Sequence, residues 1–373
     1  MELAHRIFGK NIKIDLNGLP EAHLLQSELD LYPSISVEEK DLVISHVSEF
    51  DHQAVERANP SAHRSLTSGF GAIMGTSEVQ FLFENDLLDQ VNFSFVSQKE
   101  SKFLKALEKL RSIQYLTDRE AIGQVFHELI LVPSVFFDPS LVMVHASGVV
   151  TPKNETILFA GTGGVGKTSL ELELCINQNC HFLSDDICIV SDKGKAYPNL
   201  AYPKVYAYNM NGNTSLKKAV FKKRNALDKL QWYLMSKRGL HKARRRISPR
   251  DFYGEVVTEG SQLDKYIVLS REKVNDIQLE ILEANVAAKL NARVIQSEYG
   301  VFLNHIYWHQ YNCYLAGTEP YCTSDKIFNN MEHSLTQGLN KCQVYKLKIP
   351  VDLDHTKFVK RAVSILSEEL QIF

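Results

Sequence analysis

Along the first hundred residues, apolar and polar positions follow one another in short runs. HRIFGKNIKIDL, DLVISHV, EVQFLFE and QVNFSFV each have the composition of a strand, punctuated by turn-formers at Asn17-Gly18 and at residues 69–71. A helix is expected at residues 101–112. Thr117-Asp-Arg-Glu120 then forms a capping box that opens AIGQVFHELILVPSVFF, apolar nearly all round and so expected to be buried, ending near Pro133. A boundary at about residue 113 divides a β-rich unit, 1–112, suited to recognition or dimerisation, from a larger α/β unit, 113–373. In the C-terminal third, KYIVLSRE and IQLEILE read as strands. A helix from Asn285 towards Ser297, a second helical run VFLNHIYWHQY, a strand CQVYKLKIP and a helix over 355–370 follow.

The most informative apolar run is residues 156–160, short enough for a strand buried on both faces. It leads directly into Gly161, Thr162, Gly163, Gly164, Val165, Gly166, Lys167 and Thr168, which match the phosphate-loop pattern G-x-x-x-x-G-K-[ST] at every fixed position. Successive backbone N–H groups must turn inward around phosphate oxygens, and side chains there would block the approach. Lys167 supplies a positive charge for the outer phosphates, and the Thr168 hydroxyl can hold Mg²⁺. Residues 168–176, including Ser169, read as a helix whose positive N-terminal end faces the anion. A nucleoside triphosphate site is expected.

After this helix, Cys180-His-Phe-Leu-Ser184 reads as a second strand, ending at Asp185-Asp186. A crossover of about eleven helical residues spans about 16 Å, enough to return the chain for a parallel strand beside the first. Both strands would then end on one edge, delivering the two aspartates next to the glycine loop. One carboxylate can hold a metal, and the other is free to orient an attacking hydroxyl as a base.

This coupling of glycine loop and LSDD resembles the HPr kinase/phosphorylase group of serine kinases. It resembles still more the HPr-kinase-like proteins of bacterial biosynthetic gene clusters, some of which phosphorylate peptide precursors. In VMVHASGVV, His145 stands sixteen residues before Gly161, where the family has a histidine, and Tyr202-Pro-Lys204 matches as well. The likeness covers about residues 140–210. It implies an α/β fold with a P-loop kinase core of the HPr kinase/PEP carboxykinase type behind an N-terminal β-rich domain. It further implies ATP and Mg²⁺, Asp185 as base assisted by His145, and Asp186 with Thr168 on the metal. Two departures stand out. Ser169 replaces the family's glutamate, and the downstream glycine-rich signature of true HPr kinases is missing. Both argue against HPr as substrate and against the reverse phosphorolysis.

Composition adds limits. Apolar residues make up 44% and charged residues 23% of the 373, with a net charge of −2, as in a globular protein with a sizeable core. MELAHRIFGK lacks the apolar stretch of a secretory signal, no run is long enough to cross a membrane, and six cysteines lack C-x-x-C spacing; a cytoplasmic protein with buried thiols is expected. Charge is uneven, however: residues 215–250 hold thirteen Lys or Arg against the single Asp228. Leu227, Leu230, Tyr233 and Leu234 give this segment an apolar helical face, with Gly239 at its end. The segment is read either as a solvated face or as a source of Arg244, Arg245 or Arg246 for the transferring phosphate; with few interleaved aromatics, nucleic acid is not the expected partner. His305 and His309 stand four apart, but aromatics surround them and no glutamate lies between, so a structural role is expected.

The function expected is transfer of the γ-phosphoryl group of ATP to a hydroxyl, on a serine of a peptide or protein or on a small metabolite. Lys167, Asp185, His145 and Arg245 would carry the chemistry. The rival is a nucleotide-dependent regulatory protein with no phosphorylated acceptor.

Overall fold

The structure is a computed structural model of the chain. It describes residues 1–373 apart from 37–39, 51–54, 60–61, 96–100, 211–213, 223 and 373. It is a mixed α/β molecule built on two large sheets.

The first sheet runs, in spatial order, Glu2–Ile7, Lys10–Asp15, Leu42–His46, Leu87–Phe95, Ser77–Glu84, Gly69–Met74, His63–Leu66 and Val55–Asn59. Three of the expected strands appear where the alternation placed them. HRIFGKNIKIDL instead folds as a hairpin, because Phe8 and Gly9 both take positive φ (55° and 79°) and turn the chain. The alternation survives the turn, so that Ile7, Ile12 and Ile14 share the buried face with Phe70, Val79, Phe81, Val91 and Phe93. A helix Ala22–Leu29, unannounced by any cap, covers part of that face.

The capping box forms as written: Glu120 N–H donates to Thr117 Oγ1 (3.2 Å) and Thr117 N–H to Glu120 Oε2 (3.0 Å). The helix it opens ends near Pro133, as expected. Pro133 lacks an N–H and its ring crowds the preceding turn, and ahead of it the helix widens into a π-helical stretch, Phe126–Leu131, before a last α-helical turn, Val132–Ser134. His127 and Glu128, both in that stretch, line the cleft described below.

In the second sheet Thr156–Ala160 is buried throughout, as its unbroken apolar run requires. It lies parallel to Ser261–Glu272, which continues to a parallel Gln343–Pro350. On its other side the expected neighbour is displaced. The strand ending at Ser184, His181–Ser184, runs in the same direction as Thr156–Ala160 but does not touch it; Ala146–Val150 lies between, antiparallel to both. The inserted strand begins at the edge where its two neighbours end. That topology brings His145, just before it, to the same edge as Gly161 and Asp185, and Gly161 N–H donates to the His145 carbonyl (3.4 Å).

The two sheets share one buried cluster. Across the junction Arg246 is bidentate to Glu28 (2.9 and 2.8 Å), and Leu200 N–H donates to the Tyr32 hydroxyl (2.7 Å). His305 and His309 both lie in aromatic packing at this junction. His305 stacks on His63 of the first sheet, and His309 lies between Phe70 and Tyr321. All six cysteines are free.

Candidate functional site

The glycine loop joins Thr156–Ala160 to the helix Lys167–Asn177. Two glycines are required by geometry. Gly161 holds φ +140°, and a Cβ there would stand 2.7 Å from the Leu269 carbonyl oxygen. Gly166 holds φ +117° with the Phe358 ring 2.4 Å from the position of a Cβ, so the C-terminal helix His355–Leu370 presses on the start of the loop helix. Gly163 and Gly164 have no other atom within 4 Å of such a position, which leaves an open concave rim.

Lys167 is buried, and its ammonium donates to the carbonyls of Gly161 (3.0 Å) and Thr162 (2.9 Å). Burial pulls it below the usual lysine value, against the attraction of Asp186 and Asp185. Its donors are therefore held on the loop's own carbonyls.

The two aspartates do different things. Asp185 accepts from the Thr168 hydroxyl (2.8 Å) and the Ser147 hydroxyl (3.1 Å) on one oxygen, Oδ1. Burial, and after it the neighbouring Asp186 charge, raises its carboxyl above the ordinary range. Asp186 holds φ 72°, uncommon for a residue with a side chain. Its carboxylate is 56% exposed, but the solvent it meets is that of the cleft. It accepts from His145 Nε2 (3.0 Å) and lies 3.7 Å from the Lys204 ammonium. Burial in the cleft works against its charge, yet His145, Lys204 and Lys167 outweigh it and hold the carboxyl well below the usual range. An ionised carboxylate can only accept, so His145 carries its proton on Nε2 toward Asp186. His145 thus meets Asp186, where the family likeness had implied Asp185.

Other residues of the site had weaker sequence signals or none. Ser147 is a small polar residue inside a buried strand. Lys204 bridges Asp186 and Glu128 (2.5 Å to Glu128); burial opposes its charge, but those two carboxylates lift it above the usual value. Asn291 clamps the start of the His145 strand, accepting from His145 N–H (3.1 Å) and donating to the Met143 carbonyl (3.0 Å). Glu171, one turn into the loop helix, is completely buried; burial first, then Asp185, raises its carboxyl well above the usual range. Only Lys204 belonged to a recognisable motif, because the rest act through positions that folding alone brings together.

Arg245 is not part of this site. It is completely buried against Trp232, donating to Asp228 (2.7 Å) and Gln231 (2.7 Å) and to the carbonyls of Ile113 and Arg244. Asp228, the lone acid of the basic segment, is buried and paired with both Arg245 and Arg224. Arg244 donates to the Tyr206 hydroxyl (3.1 Å), and Arg246, which does line the cleft, is committed to Glu28.

The groups that do converge border a cleft of about 450 Å³. Gly163, Gly164, Lys167 and Thr168 lie along it with Asp185, Asp186 and His145, and Lys204, Glu128, Tyr299 and Met74 of the first sheet complete its wall. No protein-family model and no curated protein matches the chain. Among solved structures, the HPr(Ser) kinase/phosphatase from Coxiella burnetii aligns over 61% of this chain and 97% of that one, at 11% identity and a TM-score of 0.27, a likeness too slight to carry an argument.

Proposed function

We propose that the chain is an ATP-dependent phosphotransferase that passes the γ-phosphoryl group to a hydroxyl, that of a serine in a peptide or protein. The single observation behind this reading is the convergence of a complete glycine loop, its lysine and threonine, and two unlike carboxylates in one cleft.

The residues fit the groups the reaction needs. The open rim at Gly163 and Gly164 leaves backbone N–H groups accessible to phosphate oxygens, and Lys167 would transfer its donors to them. Thr168 and Asp185 share a 2.8 Å hydrogen bond and form an oxygen donor pair suited to Mg²⁺. Bound there, the ion would offset phosphate charge.

Asp186 is then the candidate base. This exchanges the roles that the family likeness implied for the two aspartates, and the hydrogen bonds are the reason. Asp185 already shares its oxygen with the threonine expected on the metal, whereas Asp186 opens to the cleft. Its low pKa is no obstacle, because the transition state of phosphoryl transfer is loose and the carboxylate's task is to accept the hydroxyl's hydrogen bond and aim its oxygen. His145 and Lys204 hold the carboxylate from two sides. Beyond Lys204 the cleft wall carries Glu128, Gln124 and Phe302, which leaves room for an acceptor. Residues 1–112, represented on the wall by Met74, would help to recognise that acceptor.

The test is transfer of labelled phosphate from ATP to a panel of serine-containing peptides and their alanine counterparts. Label that appears on serine peptides alone, and disappears in Lys167→Ala, supports the reading. Hydrolysis of ATP with no labelled acceptor in the panel or in a small-metabolite panel would leave a nucleotide switch in its place.

A further inference from the structure

The helix Ala226–Arg238 is oriented opposite to its sequence pattern. Asp228, Gln231, Trp232 and Met235 face inward, while Leu227 is 62% exposed and Leu230, Tyr233 and Leu234 are each 53% exposed. Leu227, Leu230 and Leu234 recur at the spacing of a single helical stripe. The inversion is not loose folding. Trp232 and Met235 belong to a separate small core with Val205, Leu216 and Val220, and Asp228 and Gln231 are bound to Arg245. The stripe is therefore held rigidly in solvent.

A second exposed apolar helix is fastened to it. Gln231 donates to the carbonyls of Leu110 and Ser112 at the end of Lys102–Arg111, a helix that presents Phe103, Leu104 and Leu110 to solvent. The exposed charge on the helix Ala226–Arg238 itself has one sign. Asp228, the one acidic residue in 215–250, is buried in ion pairs with Arg224 and Arg245. Lys229, Lys237 and Arg238 on the helix, and His241 and Lys242 just after it, are exposed. The Lys237 ammonium sits 4.5 Å over the Tyr233 ring.

We propose that this face docks on an anionic lipid bilayer. Protruding leucines on a convex helix suit a soft partner that can close around them, and the flanking cations suit lipid phosphates at the level of the headgroups. A bilayer surface satisfies both halves at once. The docked unit is joined to the cleft by the two-stranded ribbon Lys204–Tyr206 and Arg244–Arg246, whose first residue is the lysine beside Asp186, so that docking holds the cleft close to the membrane. The inference is independent of the phosphotransferase reading.

The experiment is co-sedimentation of the full chain with vesicles of phosphatidylcholine alone or with about a third phosphatidylglycerol. The expected result is binding to the anionic vesicles, weakened by salt, and reduced about tenfold or more both by Leu227→Gln/Leu230→Gln/Leu234→Gln and by Lys229→Gln/Lys237→Gln/Arg238→Gln. Thermal unfolding of each variant at the wild-type temperature confirms that it is folded. Absence of binding, equal binding to neutral vesicles, or binding that the leucine changes leave intact would overturn the proposal. So would light scattering that shows a wild-type dimer converted to monomer by the leucine changes, with no vesicle binding, since the stripe would then join two copies of the chain.

Discussion

At the scale of single residues, the site rests on a few side chains whose partners decide their roles. Lys167 spends its hydrogen bonds on two carbonyls of its own loop. Charge-assisted bonds of this type are worth about 1.5–3 kcal/mol. Lys167→Ala should therefore weaken ATP binding by about that much while the chain stays folded, and calorimetric titration beside a thermal melt checks both halves. That the loop, Lys167, Thr168 and the aspartate pair would come together was legible in the sequence, because their spacing along a strand, a loop, a helix and a second strand leads them to one sheet edge. The contacts between them were not. Whether His145 meets Asp185 or Asp186 depends on the positive φ at Asp186, and no residue type announces that. Arg245 was misread for a related reason: a cation in a basic run gives no sign that a buried Asp228 will claim it.

At the scale of elements, period and burial were legible where one face of an element meets one core. The strand before the loop, the loop helix and the capping box all follow their sequence signals. Two further features depart from them for reasons of scale. The insertion of Ala146–Val150 between two parallel strands is a long-range pairing that a local spacing argument cannot resolve. The helix Ala226–Arg238 carries apolar residues on both sides, so periodicity alone cannot say which side is covered. Burial now separates them in a measurable way. Trp232→Ala should cost about 3–5 kcal/mol, as removal of a large buried aromatic does. Leu230→Ala, on the exposed stripe, should change stability by no more than about 0.5 kcal/mol. Urea denaturation of the two variants makes the comparison, and similar losses would place the stripe inside.

At the scale of the whole molecule, three histidines stand where the first sheet meets the helix Gly300–Ala316. Burial lowers His305 and His309 to about 4, and burial with the neighbouring His305 lowers His63 to about 3. Unfolded, each ring would titrate at about 6.5. Between that value and about 4 the unfolded chain binds more protons than the folded one, so this contribution to stability is present at neutral pH and is lost as the pH falls. Melting temperatures followed down this window should decline, and His305→Phe, which keeps a ring on His63, should flatten the decline. An unchanged slope in that variant would mean that the loss on acidification arises elsewhere.

Calorimetric titration of ATP with and without Mg²⁺ tests most directly whether the glycine loop and the two aspartates divide nucleotide binding, metal binding and hydroxyl orientation as proposed. Wild type should bind ATP more tightly with the ion. Asp185→Asn should bind ATP but lose the gain from Mg²⁺. Asp186→Asn should keep both the affinity and the gain, although its phosphate transfer falls by on the order of 10²–10⁴ for want of the group that orients the hydroxyl. No ATP binding by the wild type would contradict the account outright, and loss of the Mg²⁺ gain in Asp186→Asn alone would return the metal to Asp186 and the base to Asp185.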